Sequence, residues 1–168
     1  KMADFFRYNV KKGQEDATLG EELEAVDNYI YILNVRFAGD IHFSKDVDES
    51  LENVRVPSMI LQPVVENAVN HGIRDIEWEG KIHLTVTGDA DYIRISVKDN
   101  GKGMTHEQTE GVLTGNKKYK KEEGDSTGIG MNNVISRLEL YYEETGLVEI
   151  NSEGEGKGTE VVIYIPVN

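Results

Sequence analysis

Leu61-Gln62-Pro63-Val64-Val65-Glu66-Asn67-Ala68-Val69-Asn70-His71-Gly72 decides the reading of this chain. Ile60, Leu61, Val64, Val65, Ala68 and Val69 recur at helical spacing, so the segment reads as an amphipathic helix. Yet Glu66, Asn67, Asn70 and His71 crowd into one short window of it. A helix that only filled a core would have little use for them, because each buried polar group needs a hydrogen-bond partner. A helix that packs one stripe on a sheet and aims an amide at a hydrated metal phosphate needs this mixture.

Working outward, Pro57 precedes this helix and suits its entry. Upstream, Ile41, Phe43 and Lys45 alternate with polar neighbours, followed by Val47, which suggests a strand. Thr18-Leu19-Gly20-Glu21 has the form of a capping box, and apolar residues follow at 19, 23, 26, 30, 33 and 37. These steps of four and three suit a helix packed along another helix, in a bundle or a dimer seam, and also ordinary surface amphipathicity. Residues 1–12 read as the end of a helix with Phe5, Phe6 and Tyr8 as its apolar content.

Downstream, two strands are expected, carrying Ile82, Leu84 and Val86 on one face and Ile93, Ile95 and Val97 on the other. Gly88-Asp89-Ala90-Asp91 joins them as a hairpin turn. Thr105-His106-Glu107-Gln108 repeats the capping-box form and opens a short helix to about Leu113. A polar loop to Thr127 contains Lys117-Lys118-Tyr119-Lys120-Lys121, a solvated run or a lid able to approach an anion. A helix is expected from Gly128 to about Glu144, stopped by Gly146. A second hairpin pairs Val148 and Ile150 with Val161, Ile163 and Ile165. Helices and antiparallel hairpins segregate along the chain, which predicts an α+β two-layer sandwich.

Composition bounds the function. The chain has 168 residues, 38% of them hydrophobic, and a mean hydropathy of −0.48, so a soluble globular protein is expected. No apolar run approaches the roughly 18 residues of a membrane span. The start at Lys1 suggests further sequence upstream, where membrane segments would lie. Cysteine is absent, which removes disulfides, thiolate metal sites and a cysteine nucleophile. With 18 basic and 31 acidic residues the net charge is −13, which repels nucleic acid, so no nucleic-acid partner is expected.

Three glycine-rich corners complete the pattern. Asp99-Asn100-Gly101-Lys102-Gly103-Met104 follows a strand and precedes a capped helix. It reads as an Asn-Gly turn, or as a backbone open to a ligand with Asp99 as a buried acceptor for an exocyclic amine such as adenine N6. Gly128-Ile129-Gly130-Met131-Asn132-Asn133 opens a helix whose free amides would suit an anion. It lacks the third glycine of a dinucleotide fingerprint, and no G-x-x-x-x-G-K-[ST] loop occurs, so Rossmann and P-loop readings fail. Gly156-Lys157-Gly158-Thr159 precedes the last strand, where Thr159 would hold Asp99, or a water beside it, through its hydroxyl. Taken singly each corner reads as an ordinary turn or helix start; their order in one short chain is the informative feature.

In these residues the sequence resembles the ATP-binding domain of sensor histidine kinases, within the superfamily of gyrase, heat-shock chaperone, histidine kinase and mismatch-repair ATPases. Residues 61–72 match the asparagine box, Asp99–Gly103, Gly128–Gly130 and Gly156–Thr159 the glycine boxes, and coverage runs from about residue 41 to the end. Glu21-Glu22-Leu23, Asn28-Tyr29, Arg36-Phe37 and Pro63-Val64-Val65-Glu66-Asn67-Ala68 resemble the autolysin-regulator (LytS-like) subclass. The resemblance implies a Bergerat-type ATP-binding fold with a mixed, mainly antiparallel sheet and helices on one face. It also implies a boundary near residue 40, with residues 1–40 as the end of a dimerisation and phosphoacceptor region and residues 41–168 as the catalytic domain.

The resemblance implies ATP and Mg²⁺ as cofactors. Asn67 would be the metal ligand and, with His71, serve the catalytic step. Asn70 and His71 would face the phosphates or the ribose, and Asp99 would bind adenine beside Gly101, Gly103, Met104 and Thr159. Gly128, Ile129 and Gly130 would line the phosphates, and residues 105–127 would be the lid. The implied partners are the phosphoacceptor helix of the same protein, a response regulator and a second copy in a full-length homodimer, on the cytoplasmic side of a membrane-anchored sensor. Two departures matter. Hydrolytic relatives carry a water-activating carboxylate one turn before the box asparagine, where this chain has Pro63, and Glu66 points about 100° away around the helix. The subclass carries its acceptor histidine in an Asn-Pro-His-Phe context, absent here; His42, His83 and His106 read as structural or surface residues. A serine kinase of the anti-sigma-factor type, a non-catalytic dimer module and a true ATPase are the other readings.

Overall fold

In the computed structural model, the structure describes residues 16–36, 41–74, 76–114 and 126–167. The expected helix at residues 1–12 and the lysine run at 117–121 lie outside them. Strand β1 (Asp16–Thr18) leads directly into helix α1 (Leu19–Arg36). The capping box at its start is formed reciprocally: Glu21 N–H donates to Thr18 Oγ1 (3.1 Å), and Thr18 N–H donates to Glu21 Oε1 (2.9 Å). β2 (Ile41–Val47) and β3 (Arg55–Pro57) follow. β3 pairs antiparallel with β1 in a two-stranded sheet that three-residue segments without alternation do not announce.

Helix α2 (Leu61–Asn67) continues as a wider π-helical segment, Ala68–Ile73. β4 (Gly80–Gly88) and β5 (Tyr92–Asp99) form the expected hairpin, its turn fixed by Asp89 Oδ1 accepting from the Asp91 and Tyr92 amides. α3 (His106–Thr114) opens on the second capping box, in which Thr105 N–H donates to Gln108 Oε1 and Gln108 N–H donates to Thr105 Oγ1. α4 (Ser126–Tyr142) ends before Gly146 because Glu143 already turns left-handed (φ 54°). β6 (Val148–Asn151) and β7 (Thr159–Pro166) close the chain.

The main sheet has the order β2-β4-β5-β7-β6; β2 runs parallel to β4 and the other pairs are antiparallel. One expectation fails here. Leu84 stands opposite Val97 and Val86 opposite Ile95, and cross-strand partners share a face. The Ile82, Leu84, Val86 row and the Ile93, Ile95, Val97 row therefore lie on the same face, all buried against the helices. That face, with Ile163 and Ile165 of β7, is one layer; α1, α2 and α4 supply the other through Leu23, Val26, Leu61, Val64, Val65, Met131 and Leu138. The result is a two-layer α/β sandwich with its core between sheet and helices.

The stripe of α1 finds its partner inside the chain. Leu19, Leu23, Val26 and Ile30 are buried in the same core and α1 packs on α2, while Tyr31, Ile32 and Val35 remain exposed. Truncating Leu23 or Val26 to alanine should therefore destabilise the whole fold, by about 2–5 kcal/mol for Leu23→Ala. Chemical denaturation checks this; an unchanged midpoint would place α1 outside the cooperative core.

Candidate functional site

β5 runs through the middle of the sheet and ends at Asp99, opposite Ile82 on β4 and Thr159 on β7. Position parity puts the Asp99 side chain on the core face with Ile95 and Val97, and it is 7% exposed. Its carboxylate accepts the Gly101 amide (2.8 Å) and the backbone amide of Thr159. Thr159 thus supports Asp99 through its main chain, where the sequence suggested the hydroxyl. Burial pushes the Asp99 carboxyl up to about 6, against the lowering effect of the two amides. With two amide donors on it, the carboxylate still has lone pairs for a further hydrogen bond.

Three loops meet at this carboxylate at distances only glycine permits. A Cβ on Gly72 would sit 2.7 Å from Asp99 Oδ1, and one on Gly101 would fall 2.1 Å from the Gly72 carbonyl oxygen. A Cβ on Gly158, at φ +77°, would lie 2.3 Å from the Asp99 carbonyl oxygen. Backbone hydrogen bonds hold the approach: Lys102 N–H to the Gly72 carbonyl (2.9 Å), and Gly158 N–H to the Gly101 carbonyl (3.1 Å). Gly103 and buried Met104 continue this corner, with Gly103 backed against the Gly154 carbonyl.

Helix α2 brings the second half of the site. Asn67 Oδ1 is buried and has no hydrogen-bond partner among the described residues. Leaving such an acceptor dry costs about 1–3 kcal/mol, which calls for a partner, a water or a ligand. A hard divalent cation such as Mg²⁺ fits: an amide oxygen is a suitable donor, and Mg²⁺ takes few protein ligands and fills its octahedron with water and phosphate oxygens.

After Asn67 the widened π segment departs from the single α-helix that the sequence suggested. Such segments recur at functional sites. Here it carries Gly72 onto Asp99. Within it His71 is buried and Asn70 exposed, its Oδ1 facing Arg74 Nη1 at 3.4 Å. The Glu66 charge is felt by Tyr29 of α1, whose hydroxyl is pushed up to about 12, first by burial and then by Glu66. The position one turn before Asn67 is Pro63, so no side chain there can activate a water.

Gly128, Ile129 and Gly130 lie in the first turns of α4, and nothing stands within 4 Å of where a Cβ on Gly130 would be. Gly130 faces open space, unlike the glycines around Asp99. Sequence reasoning missed the braces of the site. Ser152 Oγ accepts the Met104 amide (3.0 Å) and donates to the Gly158 carbonyl (2.6 Å), stitching the first and third glycine corners together. Asn100 accepts the Lys81 amide and donates to the Glu79 carbonyl, while its own carbonyl receives Trp78 Nε1–H (2.7 Å). No local pattern marks these residues, since their partners are remote in sequence.

With this geometry the chain belongs to the family of histidine kinase-, DNA gyrase B- and HSP90-like ATPases, whose model matches residues 55–168. A histidine kinase family model matches residues 1–41. The sensor histidine kinase YpdA of Escherichia coli is 34% identical over 98% of this chain and 27% of its own length. The sensor protein LytS of Oceanobacillus iheyensis is 28% identical over 97% of the chain and 28% of its length. The chain thus spans about a quarter of these curated relatives. Among solved structures, the mycobacterial sensor histidine kinase MprB superposes with a TM-score of 0.65 at 16% identity, covering 91% of this chain and 97% of that one. The catalytic domain of histidine kinase ThkA gives 0.62 at 20% identity, covering 90% and 94%. These likenesses place the fold.

The Asp99 carboxyl makes two measurable statements. Its folded-state value of about 6 stands above the ordinary 3.8, so ionising it penalises the fold. The penalty is absent below about pH 4, grows as pH rises through 6, and reaches on the order of 2–3 kcal/mol above that. Asp99→Asn, which removes the ionisable group and keeps one acceptor oxygen, should be more favourable to the melting temperature at pH 8 than at pH 4, relative to the native chain at each pH. Scanning calorimetry at the two pH values checks the sign; an effect no more favourable at pH 8 than at pH 4 would contradict it.

Proposed function

We propose that this chain is the ATP-binding catalytic domain of a two-component sensor histidine kinase. It would bind Mg-ATP and donate the γ-phosphoryl to a histidine outside residues 1–168. The observation that carries the reading is the glycine-walled seat of Asp99, a buried carboxylate that accepts two amides and retains free lone pairs. Such a group takes a hydrogen bond from the adenine exocyclic amine and repels the carbonyl that guanine carries in its place. Gly101 and Gly103 leave room for the base, and Met104 is an apolar neighbour for it.

Asn67 would hold the metal through Oδ1, with Asn70 and His71 beside the phosphates or ribose. Mg²⁺, when bound, neutralises phosphate charge as it develops in transfer. The amides at the start of α4, around Gly128, Ile129 and Gly130, present donors and the positive end of a helix dipole to the phosphates. Residues 105–127 would cover the nucleotide. Pro63, in the place where hydrolytic relatives carry a base, with Glu66 about 100° around the helix from Asn67, supports transfer to a protein acceptor over attack by water.

The reading extends to partners: the phosphoacceptor helix of the same protein, a response regulator, and a second copy in the full-length homodimer. Residues 1–40 would be the end of the dimerisation region and residues 41–168 the catalytic domain, cytoplasmic in a membrane-anchored sensor. No helix among the described residues is long and apolar enough to cross a membrane.

Titration calorimetry tests the site. Asn67→Ala and Asp99→Asn should each weaken Mg-ATP binding by roughly tenfold or more while near-ultraviolet dichroism stays native, since each removes a charge-assisted or metal contact. Unchanged affinity in both variants would sink the assignment. In the longer protein, ATP labelled at the γ-phosphate should give an acid-labile phosphoprotein; acid-stable label would point to serine instead.

A further inference from the structure

Helix α2 is two turns long and its own N-cap residue, Ile60, makes no capping hydrogen bond through its side chain. Its first amides are nevertheless satisfied. Glu22, buried on α1 and 6% exposed, accepts Ile60 N–H (2.9 Å) and Leu61 N–H (3.2 Å) at Oε1, and Met59 N–H (3.0 Å) at Oε2. One carboxylate from the preceding helix therefore caps the helix that carries Asn67, and it sits at the positive end of that helix's dipole.

The turn it grips is an unusual one. Met59 adopts φ +60°, a left-handed conformation disfavoured for a residue with a side chain, and that side chain is 44% exposed. Packing does not impose the turn. Two charged groups from two other helices do: Glu22 on the amide side, and on the carbonyl side Arg137 of α4, whose Nη1 donates to Ser58 O (3.1 Å) and Met59 O (3.0 Å). Three elements thus meet at one strained turn: α1, α2 with Asn67 at its far end, and α4 with Gly128 and Gly130 at its start.

We infer that Glu22 is a positioning residue for the metal-binding half of the nucleotide site, acting through the direction of α2 on Asn67, with Arg137 as its counter-brace. This rests on the proposed role of Asn67 as a Mg²⁺ ligand. Asn67 lies six residues, or about 9 Å along the helix, beyond Leu61. A small change in tilt at the capped end therefore displaces Asn67 Oδ1 relative to the Asp99 carboxylate, which ends β5 and is held by the Gly101 and Thr159 amides, with Gly72 further along the same helix packed against it. The consequence is a split between two parts of nucleotide binding. The metal-dependent contact at Asn67 depends on Glu22 more strongly than the adenine contact at Asp99, whose carboxylate is set by β5. It also makes α1 a lever: any partner or upstream segment that shifts α1 alters metal-nucleotide affinity through Glu22.

The test measures ADP binding to the whole chain with excess Mg²⁺ and again with a chelator, by calorimetry. Glu22→Gln should lose roughly tenfold or more in the presence of Mg²⁺, as removal of groups that orient metal ligands does, and change little without it. Asn67→Ala should give the same split, and adding Glu22→Gln to it should cost nothing further. Arg137→Gln, at a half-buried position, repeats the test should Glu22→Gln fail to fold, with the same selective loss expected. Equal losses with and without Mg²⁺, no loss at all, or additive losses in the double variant would overturn the inference. A native chain that binds ADP equally in both conditions would overturn the metal role of Asn67 itself, which is read from the unsubstituted protein alone.

Discussion

Asp99 ends the central strand with its carboxylate turned into the layer that the helices cover, where water cannot solvate its charge. Everything near it is arranged around that constraint. The glycines at 72, 101 and 158 let three stretches of main chain close over it, and their mutual hydrogen bonds keep them there. Ser152, just after β6, and Asn100, just after β5 and bonded to Lys81 of β4, brace the same corner. The cost is a carboxyl whose ionised form the fold resists; the gain is an acceptor held still in a low-dielectric seat, where a hydrogen bond discriminates strongly. Asn67 repeats the principle with a neutral group, a buried oxygen whose partner must come from outside the described chain.

Much of this was legible in the sequence wherever the physics is local. Both capping boxes formed, because each involves residues three apart. Strand positions at 41–47, 82–86, 93–97 and 161–165 followed from alternation, since burial on one face repeats every second residue. The faces themselves were misread. Pairing register, which puts Leu84 opposite Val97, is a property of two strands together and is absent from either alone. The stripe at 19, 23, 26 and 30 looked equally suited to a partner chain, and the packing of α1 on α2 absorbs it internally.

The candidate site divides in the same way. Asp99 and the glycines announced themselves as a motif in order along the chain. Glu22 stood in the sequence only within Glu21-Glu22-Leu23, and its bonds to the start of the motif's own helix were hidden because the nearest partner amide is 37 residues away. A buried glutamate in a heptad-like helix reads as surface decoration until the backbone it serves is in place. The π-helical widening after Asn67 was equally hidden, because composition does not distinguish five-residue from four-residue closure. It is nevertheless what sets Gly72 against Asp99 and keeps His71 inside.

Burial raises the Asp99 carboxyl to about 6, and in the proposed function an adenine base supplies the donor that relieves it. Carbon-13 NMR of the Asp99 side-chain carboxyl across pH 4 to 8, with and without ADP, addresses that directly. Without nucleotide the resonance should titrate near 6, and saturating ADP should move the midpoint down, because a hydrogen bond to the charged form favours it. A midpoint at the ordinary aspartate value, unmoved by ADP, would contradict the account.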